Sequence, residues 1–168
     1  MKYHLFWNSN KLLQPSEEKV LEKRIDFTLQ NDYFNDVVNR KDLNWEQLEI
    51  NIVFTDDLGI TELNEKFRNK NKPTDILTFP FELPKNKMDQ PDIAELYISL
   101  DTAQKNATLH QNSLLDEISL LFIHGLLHAF HFDHEKNKKE KSIMEKHEKN
   151  LLTQANMENI IPLTSYGS

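Results

Sequence analysis

The stretch SLLDEISLLFIHGLLHAFHFDH, residues 113–134, decides how this chain folds and what chemistry it can carry. Ser113-x-x-Asp116 is a helix-start pattern. From Leu114 the apolar residues Leu115, Ile118, Leu121, Phe122, Ile123, Leu126, Leu127 and Phe130 surround the helix on nearly all sides, which predicts a central, buried element. Histidines ride on it: four of the seven in the chain fall between His124 and His134. His124 and His128 are four apart, so they share one helical face with Cβ atoms about 5–6 Å apart. Two imidazoles so placed can close on one metal ion at about 2.0–2.1 Å per bond. The third, His134, has to return from beyond the helix end. Three protein ligands leave a coordination position open, the mark of a catalytic rather than a structural zinc. The plainer alternative is a core helix with satisfied histidines. Single buried histidines are common and spaced triplets are not, so the metal reading is preferred.

The residues between the histidines refine that reading. Gly125 sits in the helix interior, where glycine costs about 1 kcal/mol relative to alanine. Its missing side chain admits either a substrate or backbone beside the metal, or close helix–strand packing. It also stands where zinc peptidases of the H-E-x-x-H type carry their general base, so peptidase chemistry is disfavoured. His131 falls three after His128, where the chain must turn. Histidine tolerates positive φ, so His131 is read as a turn residue rather than a ligand. Asp133 is either a carboxylate orienting an imidazole or a plain turn residue.

Working outward, Tyr3 to Trp7 predicts a strand, and a helix capped by Ser16 follows to about Asn31. Leu48 to Thr55 alternates as a strand. Thr55-Asp56-Asp57 caps a helix whose buried side would be Ile60, Leu63 and Phe67. Thr74 to Phe81 is a strand, Lys85 to Asp92 a polar loop, and Leu96 to Leu100 another strand, with Ser99-Leu-Asp101 opening the next helix. Asp133 or Asn137 starts a last charged helix near Lys138 to Gln154. The order βαβαββααα predicts an α+β (or α/β) domain, one small mixed sheet packed by helices, spanning residues 1–168 as a single unit.

With 168 residues and no cysteine, a metal site must be built from His, Asp, Glu or water. No secretory leader or membrane-length apolar run is read, so a cytoplasmic protein is expected, with no membrane partner. The net charge of −7 argues against broad, non-specific binding to nucleic acid. Two basic strips remain: Arg68-Asn-Lys70-Asn-Lys72, and Lys136 to Lys149, the latter reading as a solvated helix face.

HGLLHAFHFDH resembles the H-G-x-L-H-x-x-G-Y-D-H signature of the YbeY family, metal-dependent endoribonucleases of ribosomal RNA maturation. Leu63-Asn64-x-x-Phe67-Arg68 is similar to that family's L-N-x-x-Y-R, residues 72–80 to its K-P-T-D-V-L-S-F-P, and Met144 with Glu148 to its M-x-x-x-E. The resemblance covers about residues 45 to 152. It implies that His124, His128 and His134 bind one Zn²⁺ and that Arg68 is the catalytic arginine. By position alone Arg68 would be a surface residue closing a helix. Three departures stand out: Ala94-Glu95-Leu96 for G-D-I, His131 for the turn glycine, and Phe132 for tyrosine. The implied function is single-strand-specific cleavage of ribosomal RNA, with ribosomal particles as partners. The rivals are another zinc metallohydrolase or peptidase-like enzyme, and a non-catalytic ribosome-assembly factor with a structural zinc.

Overall fold

In the computed structural model of the protein, which describes residues 1–9, 13–82, 90–158 and 160–161, the histidine-bearing helix stands at the centre. It runs from Leu114 to Ala129, with the Ser113 side chain accepting the Asp116 N–H as its cap. Leu126, Leu127, Ile118 and Ile123 are fully or almost fully buried on it. Three strands precede it along one sheet edge to edge: β1 (Lys2–Trp7), β2 (Leu48–Thr55) and β4 (Asp92–Ser99), all parallel, with β3 (Ile76–Phe79) antiparallel at the outer edge beside β4. The sheet order is β1-β2-β4-β3.

The helices are α1 (Pro15–Gln30), α2 (Asp32–Val37), α3 (Asp57–Arg68), α4 (Leu100–His110), the central α5 (Leu114–Ala129) and α6 (Lys138–Met157). Residues on alternate positions of β4 explain the layering: Ala94, Leu96 and Ile98 are fully buried, whereas Ile93 is 47% exposed. The buried row faces α5. A Cβ on Gly125 would stand 2.5 Å from Ile76 Cδ1 and 2.5 Å from Leu96 Cδ2, so this glycine lets α5 lie directly on β3 and β4. Close helix–strand packing is therefore the reason for Gly125, and no substrate space opens there. Arg24 of α1, 6% exposed, locks α1 to α5 through Asp116 Oδ1 at 2.8 Å and Ser119 Oγ at 2.9 Å.

Several expectations are corrected. Gln14, not Ser16, caps α1, because Pro15 takes the first helical position and the Glu17 carboxylate accepts the Gln14 N–H at 2.8 Å. A short α2, capped by Asn31, lies between α1 and β2. Strand β4 begins at Asp92 rather than Leu96, so Ala94-Glu95-Leu96 is strand interior, and β3 is confined to Ile76–Phe79. Most of the expected loop from Lys85 falls outside the described residues. On α3 the buried pair is Ile60 and Asn64; Leu63 is half-buried and Phe67 is 55% exposed. The last helix is capped by Asn137, as one of the two expected starts. No helix among the described residues is long and apolar enough to cross a membrane.

Candidate metal centre

The last turns of α5 bring His124 and His128 onto one face, and the chain then reverses to return His134. The reversal is made by His131, whose φ of 69° is left-handed. Its ring pays back part of that strain: Nε2 donates to the Phe81 carbonyl at 2.5 Å, while the Phe81 N–H donates to Ala129 O at 3.1 Å. His131 is thus committed to the turn, as its sequence position suggested. Asp133 also proves to be a turn residue, its carboxylate accepting the Glu135 N–H at 2.8 Å.

The three remaining imidazoles converge. His128 Nε2 lies 3.1 Å from His124 Nε2 and 2.9 Å from His134 Nδ1. Donor nitrogens on one tetrahedral ion at 2.0–2.1 Å would be about 3.3 Å apart, so the spacing fits a shared metal. One ligand atom from each of the three lies within 4.8 Å of the others, and no other such group of His, Asp or Glu occurs among the described residues. Burial, then the His124 and His134 rings, push the His128 imidazole down to about 4, so it is neutral at pH 7 with a lone pair to give.

Glu148 of α6 orients His124. Its carboxylate contacts His124 Nδ1 and can only accept, so Nδ1 carries the proton and Nε2 is left free towards the metal. Glu148 is largely buried, its side chain 14% exposed. No role was assigned to it from sequence. Two signals marked it: its place as the acid of the M-x-x-x-E resemblance, and its register, since Met144, Leu151, Leu152 and Ala155 form the buried stripe of α6 and Glu148 interrupts that stripe with a charge.

The histidines line an open cleft of about 540 Å³, and Arg68, Thr74 and Thr78 line it with them. Arg68 is the last residue of α3, followed by Asn69 in the left-handed conformation. Its Nη2 lies 3.3 Å from Glu135 Oε2, with the two side chains 39% and 62% exposed. The loop after Arg68 is fixed by Asn64, 2% exposed, whose Nδ2 donates to Lys72 O at 2.8 Å and whose own carbonyl accepts the Lys70 N–H at 3.2 Å. Asn64 stands in the L-N-x-x-Y-R resemblance with no role read for it, and Glu135 is not among the residues that the sequence points to.

Comparison with known proteins agrees with this geometry. The family model described as Endoribonuclease YbeY matches residues 14–156. An Endoribonuclease YbeY of Nautilia profundicola is 41% identical over 129 residues, covering 73% of this chain and 90% of its own length. One of Leptospira interrogans is 40% identical over 123 residues, covering 64% of this chain and 87% of its own. The solution structure of a Thermotoga maritima protein matches with a TM-score of 0.54 at 24% identity, over 98% of this chain and 99% of that one, and so bears on the fold alone. With the family match running from α1 to α6 and relatives of this identity over most of their length, the chain belongs to the endoribonuclease YbeY family.

Proposed function

We propose that this chain is a zinc-dependent endoribonuclease that cleaves single-stranded ribosomal RNA, with His124, His128 and His134 as the metal ligands and Arg68 as the catalytic arginine. The observation that carries the proposal is the convergence of three imidazole nitrogens in a cleft that the Arg68 guanidinium side chain also lines. A cleft open to solvent suits an extended strand. Family membership supports RNA as the substrate, and with it we propose ribosomal particles as the partner and the cytoplasm as the setting.

When bound, zinc supplies a Lewis acid for a phosphoryl oxygen and lowers the pKa of water. The protein's own residues do the rest. His128 is held neutral by burial, and Glu148 fixes the tautomer of His124. Arg68 is placed to stabilise charge building on the phosphoryl oxygens, a task suited to its bidentate fork. One arm of that fork, Nη2, donates to Glu135 Oε2, and a phosphate would compete for it. Gly125 packs against the sheet, so no carboxylate stands where H-E-x-x-H peptidases hold their base. A structural zinc in an assembly factor would require a fourth protein ligand. His131 is spent on the Phe81 carbonyl, and no fourth group joins the cluster among the described residues.

The test is cleavage of single-stranded RNA by zinc-loaded protein, with metal content measured on the same sample. Wild type should carry one zinc per chain and cleave; His124→Ala should do neither. Equal cleavage by both proteins would assign the activity to a contaminant and sink the reading.

A further inference from the structure

From the surface beside the cleft we infer a base-stacking subsite for single-stranded RNA on the ring of Phe67, flanked by phosphate-binding Lys66, Lys70 and Lys72. This rests on the nuclease reading above and extends the substrate's path beyond Arg68.

Phe67 is 55% exposed, though a helix that buries Ile60 and Asn64 could have turned a polar residue outward at this position. The ring is nonetheless held in place. It packs edge-to-face on Phe79 with centroids 5.0 Å apart, and Phe79 packs the same way on Tyr97 at 5.7 Å. The register pairs Phe79 with Glu95 and Leu77 with Tyr97, so this aromatic ladder lies on the sheet face opposite α5. Arg68, one residue on, lines the cleft. A strand leaving the cleft past Arg68 and over the edge of β3 therefore meets Phe67 next.

The segment that carries the ring is basic. Residues 66–72 read Lys-Phe-Arg-Asn-Lys-Asn-Lys, four cations and no acid, in a chain whose net charge is −7. Lys66 Nζ stands 5.1 Å from the centre of the Phe67 ring. Lys66, Lys70 and Lys72 are exposed, and none has a carboxylate partner among the described residues. The backbone carrying Lys70 and Lys72 is fixed by the buried Asn64, so little ordering is needed when a ligand arrives. A rigid exposed aromatic ring within a basic strip is the arrangement by which proteins hold unpaired bases. The base stacks, the cations follow the backbone, and sequence matters little. A base that displaces the Lys66 ammonium from the ring frees that cation for a phosphate.

The test uses zinc-loaded protein and a 12-nucleotide phosphorothioate-linked RNA, which resists cleavage, carrying one 2-aminopurine. Phe67→Leu keeps the apolar contact with Phe79 but removes the stacking face; Phe67→Trp keeps it. Phe67→Leu should weaken binding about tenfold and lose most of the 2-aminopurine quenching, whereas Phe67→Trp should retain both. Lys70→Gln with Lys72→Gln should lower the slope of log affinity against log salt by about 1.4, two contacts at the single-strand value. Unchanged binding and quenching in Phe67→Leu, or an unchanged salt slope in the double variant, overturns the subsite. If wild type still cleaves ordinary RNA, that result leaves the nuclease reading intact. Wild type that neither binds nor cleaves single-stranded RNA overturns both.

Discussion

The carboxylate of Glu148 on α6 accepts the Nδ1–H of His124 on α5, joining residues 24 apart in sequence. That bond fixes which nitrogen of His124 faces its two partner imidazoles. Removing such a supporting carboxylate typically costs about 10–100-fold in metal affinity. Glu148→Ala should therefore bind zinc about 10–100-fold more weakly than wild type, measured by competition with a chromophoric chelator. Glu148→Gln keeps an acceptor without the charge and should fall between them. Equal zinc affinity in all three proteins would remove Glu148 from the site.

The helical period made His124 and His128 readable as a pair, because a spacing of four on an apolar helix is a local property. His134 was readable because a short turn can only return it to the same point. Glu148 was marked by the M-x-x-x-E resemblance, but its bond to His124 was not readable, since that depends on how α6 docks on α5, a tertiary fact that appears locally only as one charge in an apolar stripe. The same holds for α3. Periodicity favoured Leu63 and Phe67 as its buried side, but Asn64 is buried instead, because the loop from Asn69 to Lys72 folds back on it and needs a polar anchor. Arg68 was recognised by resemblance; nothing in its local sequence separates it from a surface arginine. The parallel pairing of β1, β2 and β4 follows from the crossover helices between them, whereas the exact limits of β3 and β4 depend on pairing that no single segment encodes.

His131 carries two opposed effects. A left-handed backbone costs an L-residue roughly 1–2 kcal/mol, and its bond to the Phe81 carbonyl returns about 1 kcal/mol. His131→Gly removes both, so stability should change by less than about 1 kcal/mol and zinc stoichiometry should hold. His131→Val keeps the strain, worsens it by β-branching and loses the bond. It should be clearly less stable than either, read as the midpoint of urea unfolding. Zinc lost in a folded His131→Gly protein would make His131 a ligand after all.

Asp57 links the starts of α3 and α4. Its carboxylate accepts Ser99 Oγ at 2.7 Å, Thr102 Oγ1 at 2.5 Å and Lys105 Nζ at 2.9 Å. Burial pushes this carboxyl up, but the bonds from Thr102, Ser99 and Lys105 together outweigh it and hold the group below its ordinary value of 3.8. A carboxylate with a depressed folded pKa stabilises the protein above its unfolded pKa, and that contribution is lost as pH falls through the folded value. Asp57→Asn should cost about 1.5–3 kcal/mol at pH 7, the range for bonds to a charged group. The gap between variant and wild type should narrow below the ordinary carboxyl pKa. Urea titrations at pH 7 and at pH 3 measure both; a gap that does not narrow on acidification would mean that the charge of Asp57 is not what stabilises the junction.

Arg68 and Glu135, which both line the cleft, pair at 3.3 Å, and the pair makes opposite predictions for its two members. If Arg68 stabilises phosphoryl charge in the transition state, Arg68→Ala should cleave RNA about 10²–10³-fold more slowly, as loss of one such donor typically does. Zinc content and unfolding midpoint should be unchanged, because Arg68 is neither a ligand nor in the core. Arg68→Lys should rescue poorly, since a point charge does not replace a bidentate fork. Glu135 competes with substrate for the same guanidinium. An exposed pair of this kind is worth about 0.2–1 kcal/mol, so Glu135→Gln should tighten RNA binding by up to about fivefold. Weaker binding by Glu135→Gln would show that the carboxylate positions Arg68 rather than competing for it. If Arg68→Ala cleaves as fast as wild type while His124→Ala is inactive, the enzyme remains a metallonuclease and Arg68 has no part in its mechanism.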